Sequence, residues 1–178
     1  GIHERHTAGV GSALTGGGRD RVARLCGETC GAEAWVLAGT GAGSTAATVA
    51  ATRRAREAGV QGALVVTPPY AKPGQDALRQ HFTRVADEGG LPVVLYNVPG
   101  RAAVNLLPPT VCKLAQHEQI VAIKEASGSL DQATEILLGS SLTLLSGDDG
   151  LALAHFALGA EGLVYVAGEG AGGAWGGL

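Results

Sequence analysis

Residues 91–128, LPVVLYNVPGRAAVNLLPPTVCKLAQHEQIVAIKEASG, hold two apolar runs on either side of one amphipathic segment. Val93–Asn97 and Ile120–Lys124 are continuously apolar up to their last residues instead of alternating. Continuous apolar character predicts strands covered on both faces and therefore paired in parallel. Between them Val111, Leu114 and Ala115 fall at helical spacing, and Pro108–Pro109 suit a helix first turn. The stretch reads as strand, turn, helix, strand.

The same unit recurs in both directions. Trp35–Ala38, Ala63–Thr67, Leu142–Ser146 and Gly162–Val166 are further candidate strands, and a spacing of about twenty to thirty residues suits successive βα units. Val22, Leu25, Cys26 and Thr29 predict a helix burying that face, with Cys26 and Cys30 one turn apart on it. Leu78, Phe82 and Val85 predict another. Gly59 is a helix stop, and Asp148 can cap the segment 150–158 before Gly159. Two architectures fit six such units: an open doubly wound sheet, or a (β/α)8 TIM barrel lacking parts, since a complete one takes about 250 residues. The dinucleotide-binding form of the open sheet is poorly supported. Gly39-Thr40-Gly41-Ala42-Gly43 is followed by Ser44 where that fingerprint needs a final glycine.

Composition narrows the class. The 178 residues suit one domain, taken as 1–178, and 46% are apolar. The net charge is −3 with no basic stripe, which argues against nucleic acid as a partner. No apolar run reaches the roughly 18 residues of a membrane span, and the N-terminus does not read as a signal peptide. Cys26, Cys30 and Cys112 read as reduced core cysteines of a cytoplasmic protein. The lack of methionine and the Gly-rich stretch 168–178, GEGAGGAWGGL, suggest an incomplete chain.

In parallel α/β proteins chemistry gathers where strands end. Lys124 closes the run Ile120-Val121-Ala122-Ile123. A lysine there is costly unless paired or deprotonated, and a neutral amine attacks ketones. The alternative is a pair with Glu125, although adjacent strand residues point to opposite faces. Tyr96 ends the preceding strand within reach of such an amine, or is a half-buried tyrosine meeting water. Arg101 could hold a carboxylate bidentately, or is a solvated surface residue. Tyr70 sits on a Pro-rich turn, where an exposed loop tyrosine is the alternative. Asp148 and Asp149 read as a helix cap and first turn. No His/Cys/Asp cluster has zinc spacing, and no G-x-S-x-G elbow is present.

The strand ends AGTGAGST, VVTPPYAKPGQDALRQHF, LPVVLYNVPGR, IVAIKEASG and LLSGDDGLAL occur in this order and together resemble the dihydrodipicolinate synthase family of pyruvate-dependent lysine aldolases. The resemblance runs from about residue 7 to residue 166, leaving 1–6 and 168–178 unplaced. It implies an incomplete (β/α)8 barrel lacking the first strand and helix, most of the second strand, and everything after the eighth.

The resemblance also implies roles. Lys124 is similar to the Schiff-base lysine, and Tyr96 to the tyrosine that relays protons to it. Thr7 corresponds to the hydroxyl in the middle of that relay, and Tyr70 to a tyrosine lent across a subunit interface. Arg101 resembles the arginine that binds the carboxylate of aspartate semialdehyde. Gly147 and Val164 resemble residues lining the pyruvate pocket. Ala8 stands where the family usually carries a threonine that holds the pyruvate carboxylate. One hydrogen bond to a charged group is lost there, worth roughly 1.5–3 kcal/mol.

The expected reaction is therefore condensation of pyruvate with L-aspartate 4-semialdehyde in lysine and diaminopimelate biosynthesis. It needs no cofactor or metal, and the family resemblance implies a homotetramer built as a dimer of dimers. The alternatives are another pyruvate aldolase of the family, of the 2-keto-3-deoxy sugar acid or sialic acid lyase type, and an inactive fragment.

Overall fold

The computed structural model describes residues 2–3, 16–30, 35–69 and 71–164. Seven strands are present among them: β1 (Ile2–His3), β2 (Trp35–Gly39), β3 (Gly62–Val66), β4 (Val93–Asn97), β5 (Ile120–Glu125), β6 (Thr143–Ser146) and β7 (Gly162–Leu163). The helices are α1 (Gly16–Cys30), α2 (Thr45–Glu57), α3 (Gln75–Gly89), α4 (Pro99–Ala102), α5 (Pro108–Leu114), α6 (Leu130–Gly139) and α7 (Ala152–Leu158). Every strand pairs in parallel with the next, in the order β1-β2-β3-β4-β5-β6-β7.

That order separates the two candidate architectures. A doubly wound sheet reverses its strand order at a switch point and carries helices on both faces. Here the order never reverses, and the two faces differ in what covers them. On the outer face Val36, Ala63, Val65, Val93, Leu95, Ile123 and Leu144 pack with Val49, Leu78, Phe82, Val85, Val111, Leu114 and Ile136 of the helices. On the inner face Leu37, Leu64, Val94, Ala122, Leu145 and Val164 meet one another, with Tyr96 against them. Strand side chains alternate between these layers. Both layers are apolar, which is why the sequence runs are continuous. The fold is a partial (β/α)8 barrel, with β1 and β7 as the edges of the described sheet.

The helix signals at Leu78, Phe82, Val85 and Val111 hold, since all four are fully buried. Gly59 (φ 87°) follows the C-cap of α2, and Gly159 (φ 112°) caps α7. The carboxylate of Asp148 accepts the Gly150 N–H at 3.0 Å, capping the single 3-10 turn Asp149–Leu151.

Two expectations are corrected. Val22 and Leu25 are 46% and 63% exposed, while Cys26 packs on the outer core. Helical spacing shows which residues share a side but not which part of that side meets the sheet. Asp20 instead ties α1 to α2 through Arg54 at 3.7 Å. The side chain of Cys30 lies outside the described residues, and Cys26 and Cys112 are free thiols. Ile2–His3, within a segment left unplaced by sequence, pairs with Trp35 and Val36 as a strand. Two residues are too few to display a period.

Candidate active site

Parallel pairing brings the predicted residues together at the C-terminal ends of β4, β5 and β6. Tyr96 faces Lys124 across β4 and β5, and Lys124 faces Leu145 across β5 and β6. All three point to the inner face. Lys124 is 7% exposed, and its Nζ stands 4.4 Å from the centroid of the Tyr96 ring. An ammonium over a tyrosine face is attracted by the ring quadrupole. The lysine is thus held at the mouth of the barrel interior, with Leu145 beside it and the apolar residues Val94 and Ala122 beneath it.

Gly147 follows β6 directly, and its N–H donates to the Glu125 carbonyl at 2.8 Å. A Cβ at this position would stand 3.0 Å from Cγ and 3.0 Å from Cε of Lys124. The glycine therefore leaves the space that the lysine stem occupies. Val164 follows β7, is buried in the inner layer, and donates its N–H to the Ser146 carbonyl at 2.8 Å. Arg101 lies on the single turn of α4, past the end of β4, and is exposed. Lys124, Tyr96, Gly147 and Val164 share the inner end of the sheet, while Arg101 stands on the loop beside it. Thr7, Ala8 and Tyr70 lie outside the described residues.

The sequence reading missed a second layer behind these residues. Glu125 points to the outer face and is fully buried. Its carboxylate accepts from Asn97 Nδ2 at 3.1 Å, the Ser127 N–H at 2.7 Å and Gln132 Nε2 at 3.4 Å. Asn97 accepts the Leu106 N–H at 2.9 Å and donates to Asn105 Oδ1 at 2.8 Å. Asn105 and Gln132 bond in turn, and Gln75 of α3 donates to the Asn105 carbonyl at 2.8 Å. Next in the row, Ser146 Oγ lies 2.6 Å from Nδ1 of His155. Burial holds the His155 pKa below its ordinary value, with Glu125 and Asp148 opposing that effect. The available signal was a polar residue directly following each inward-facing one: Asn97 after Tyr96, and Glu125 after Lys124.

Known proteins share both the sequence and the fold of this chain. The family model of the dihydrodipicolinate synthetase family matches residues 3–175, against the 7–166 marked out by the motifs. A 4-hydroxy-tetrahydrodipicolinate synthase of Geobacter sulfurreducens is 53% identical over 133 residues, covering 74% of this chain and 46% of that protein. One of Citrifermentans bemidjiense is 48% identical over 162 residues, covering 90% of this chain and 56% of that protein. The chloride-inhibited dihydrodipicolinate synthase of Acinetobacter baumannii, solved with pyruvate, superposes with a TM-score of 0.87 at 36% identity, covering 92% of this chain and 57% of that one. The chain spans about half the length of the relatives it matches. A parallel sheet wound in one direction, an inward lysine beside a tyrosine at its carboxyl end, and these matches lead to one assignment: the chain belongs to the dihydrodipicolinate synthetase family.

Proposed function

We propose that this chain carries the imine-forming centre of a 4-hydroxy-tetrahydrodipicolinate synthase, a lyase of lysine and diaminopimelate biosynthesis. The observation that carries the reading is the inward Lys124, with its amine 4.4 Å from the Tyr96 ring at the carboxyl end of the strands. Relatives about half identical in sequence bear that enzyme's name, and one structural relative was solved with pyruvate.

In this reading the Lys124 amine attacks the ketone carbon of pyruvate, and water leaves as the imine forms. The protonated imine is the electron sink that lets the methyl group give up a proton. The resulting enamine attacks the aldehyde of L-aspartate 4-semialdehyde, forming a carbon–carbon bond, and the new alkoxide takes up a proton. The substrate's amine then displaces Lys124 from the imine carbon, closing the ring and restoring the lysine. Tyr96, Thr7 and a neighbouring subunit's Tyr70 move the protons, and no further cofactor is needed. Arg101 holds the carboxylate of the second substrate, while Gly147, Val164 and the Ala8 backbone line the pyruvate pocket. The assembly is a cytoplasmic homotetramer.

Borohydride reduction with pyruvate tests this. The chain has three lysines. Lys72 and Lys113 are exposed, away from the inner layer in which Lys124 is buried. Peptide mass mapping is expected to find the reduced pyruvate adduct on Lys124 alone. Label spread over all three lysines, or absent from Lys124 in folded protein, overturns the reading.

A further inference from the structure

The pairing of β4 with β5 changes register near its start. Val93 faces Ile120, but Val94 faces Ala122. Val121 is the extra residue of this bulge, and it is 36% exposed. Beyond the bulge the pairs run Leu95–Ile123, Tyr96–Lys124 and Asn97–Glu125. A slip of one residue turns every side chain on a strand to the other face, and Lys124 would then leave the interior. Apolar pattern does little to forbid that slip, because Val121, Ala122 and Ile123 are all apolar and suit either layer.

The polar residues next to the site do discriminate. Asn97 and Glu125 are the last pair of the β4–β5 ladder, and both are fully buried on the outer face. They bond to each other at 3.1 Å. Asn97 also holds Leu106 and Asn105 of the loop after α4, and Glu125 holds Ser127 and Gln132 at the start of the next βα connection. The inner layer instead holds the apolar side chains Leu37, Leu64, Val94, Ala122, Leu145 and Val164. A buried carboxylate is weak support for stability, and its best-attested use is to specify a register.

We propose that Asn97 and Glu125 are positioning residues: a hydrogen-bonded lock on the outer face that fixes the register of β4 and β5 past the bulge and so aims Tyr96 and Lys124 into the barrel. The proposal rests on Lys124 being the imine-forming lysine.

The test follows borohydride trapping of pyruvate in time on the 178-residue chain, separating the rate constant from the fraction of chains labelled. A residue that only supports folding changes the fraction labelled and leaves the rate constant of the folded molecules alone. Glu125→Ala and Asn97→Ala are each expected to lower the rate constant about tenfold or more, the scale set by misplacing a reacting group by a fraction of an ångström. Glu125→Gln keeps one acceptor oxygen, for the Ser127 N–H, but sets an NH2 against Asn97 Nδ2 and Gln132 Nε2, so its rate constant is expected to fall between those of Glu125→Ala and the parent. Thr52→Val removes a buried hydrogen bond to Thr40 on the same outer layer, remote from the lock, and should lower only the fraction labelled. If Glu125→Ala and Asn97→Ala do not fold, Gln132→Ala decides the matter, with an expected slowing of about two- to threefold. Unchanged rate constants in the folded lock variants overturn the proposal alone. A parent chain that folds but takes no label on Lys124 overturns the imine reading and the lock together.

Discussion

Gly147 and Lys124 share one space: a Cβ on the glycine would stand 3.0 Å from two carbons of the lysine stem and 3.0 Å from the Ala126 Cβ. Gly147→Ala therefore displaces the lysine side chain, which is more flexible than the backbone on either side. Pyruvate trapping at Lys124 is expected to slow by about tenfold in the alanine variant and to vanish in Gly147→Val, where the added methyls have no room. Trapping at the parent rate in Gly147→Val would show that the lysine reacts from another position.

Arg101 separates the two substrates. It is exposed on α4 and forms no part of the inner layer around Lys124. Arg101→Ala should leave pyruvate trapping within about twofold of the parent, while condensation with aspartate semialdehyde falls by about 100-fold or more through loss of a bidentate, charge-assisted contact. Condensation is measured in the longest form of the protein that turns over. An equal loss in both steps, or in neither, removes the assigned role.

Acid should loosen the α2–α3 contact. His81 is buried, its Nδ1 lies 2.9 Å from Thr45 Oγ1, and burial lowers its pKa from 6.5 to about 4. Because the folded pKa is the lower one, the unfolded chain binds the extra proton first. Stability from neutral His81 is complete above the unfolded pKa of 6.5 and drains away as pH falls toward about 4. Between pH 7 and pH 5 the loss is on the order of 2 kcal/mol. Urea midpoints at the two pH values measure it, and His81→Gln should flatten the difference.

Gly41 is predicted to tolerate no side chain. A Cβ there would meet Val66 Cγ1 at 2.6 Å and the Val66 backbone nitrogen at 2.9 Å. The first obstacle can rotate, but the second is held in β3. Gly41→Ala should destabilise the chain by about 1–3 kcal/mol, read as a lower urea midpoint with an unchanged slope.

The 178-residue chain expressed as it stands should self-associate. β1 and β7 are the outermost strands of the described sheet, and Leu138 and Leu153 on the neighbouring helices α6 and α7 are 85% and 74% exposed. Sheet edges and exposed leucines both favour contact with other chains. Sedimentation is expected to show species larger than one chain, and a monodisperse monomer with a sharp cooperative melt would contradict this.

Six of the seven strands were legible in the sequence because a strand buried on both faces is a continuous apolar run, visible without knowing its neighbours. Helix ends at Gly59 and Gly159 and the cap at Asp148 were legible for the same local reason: a left-handed residue or a capping carboxylate acts within a few positions of itself. Lys124 and Tyr96 stood out because each ends an apolar run with a polar group. What a run cannot display is the direction in which strands succeed one another; the barrel was expected from the ordered motifs at the strand ends, and the unreversed order β1 to β7 bears it out. Nor could it display the face on which each residue lies, since apolar side chains line both layers. Register decides that, and register is a property of two strands at once. Lys124 faces inward, and Glu125 outward into a network that draws on Asn97, Asn105 and Gln132, because chain segments far apart in sequence meet only in the folded sheet.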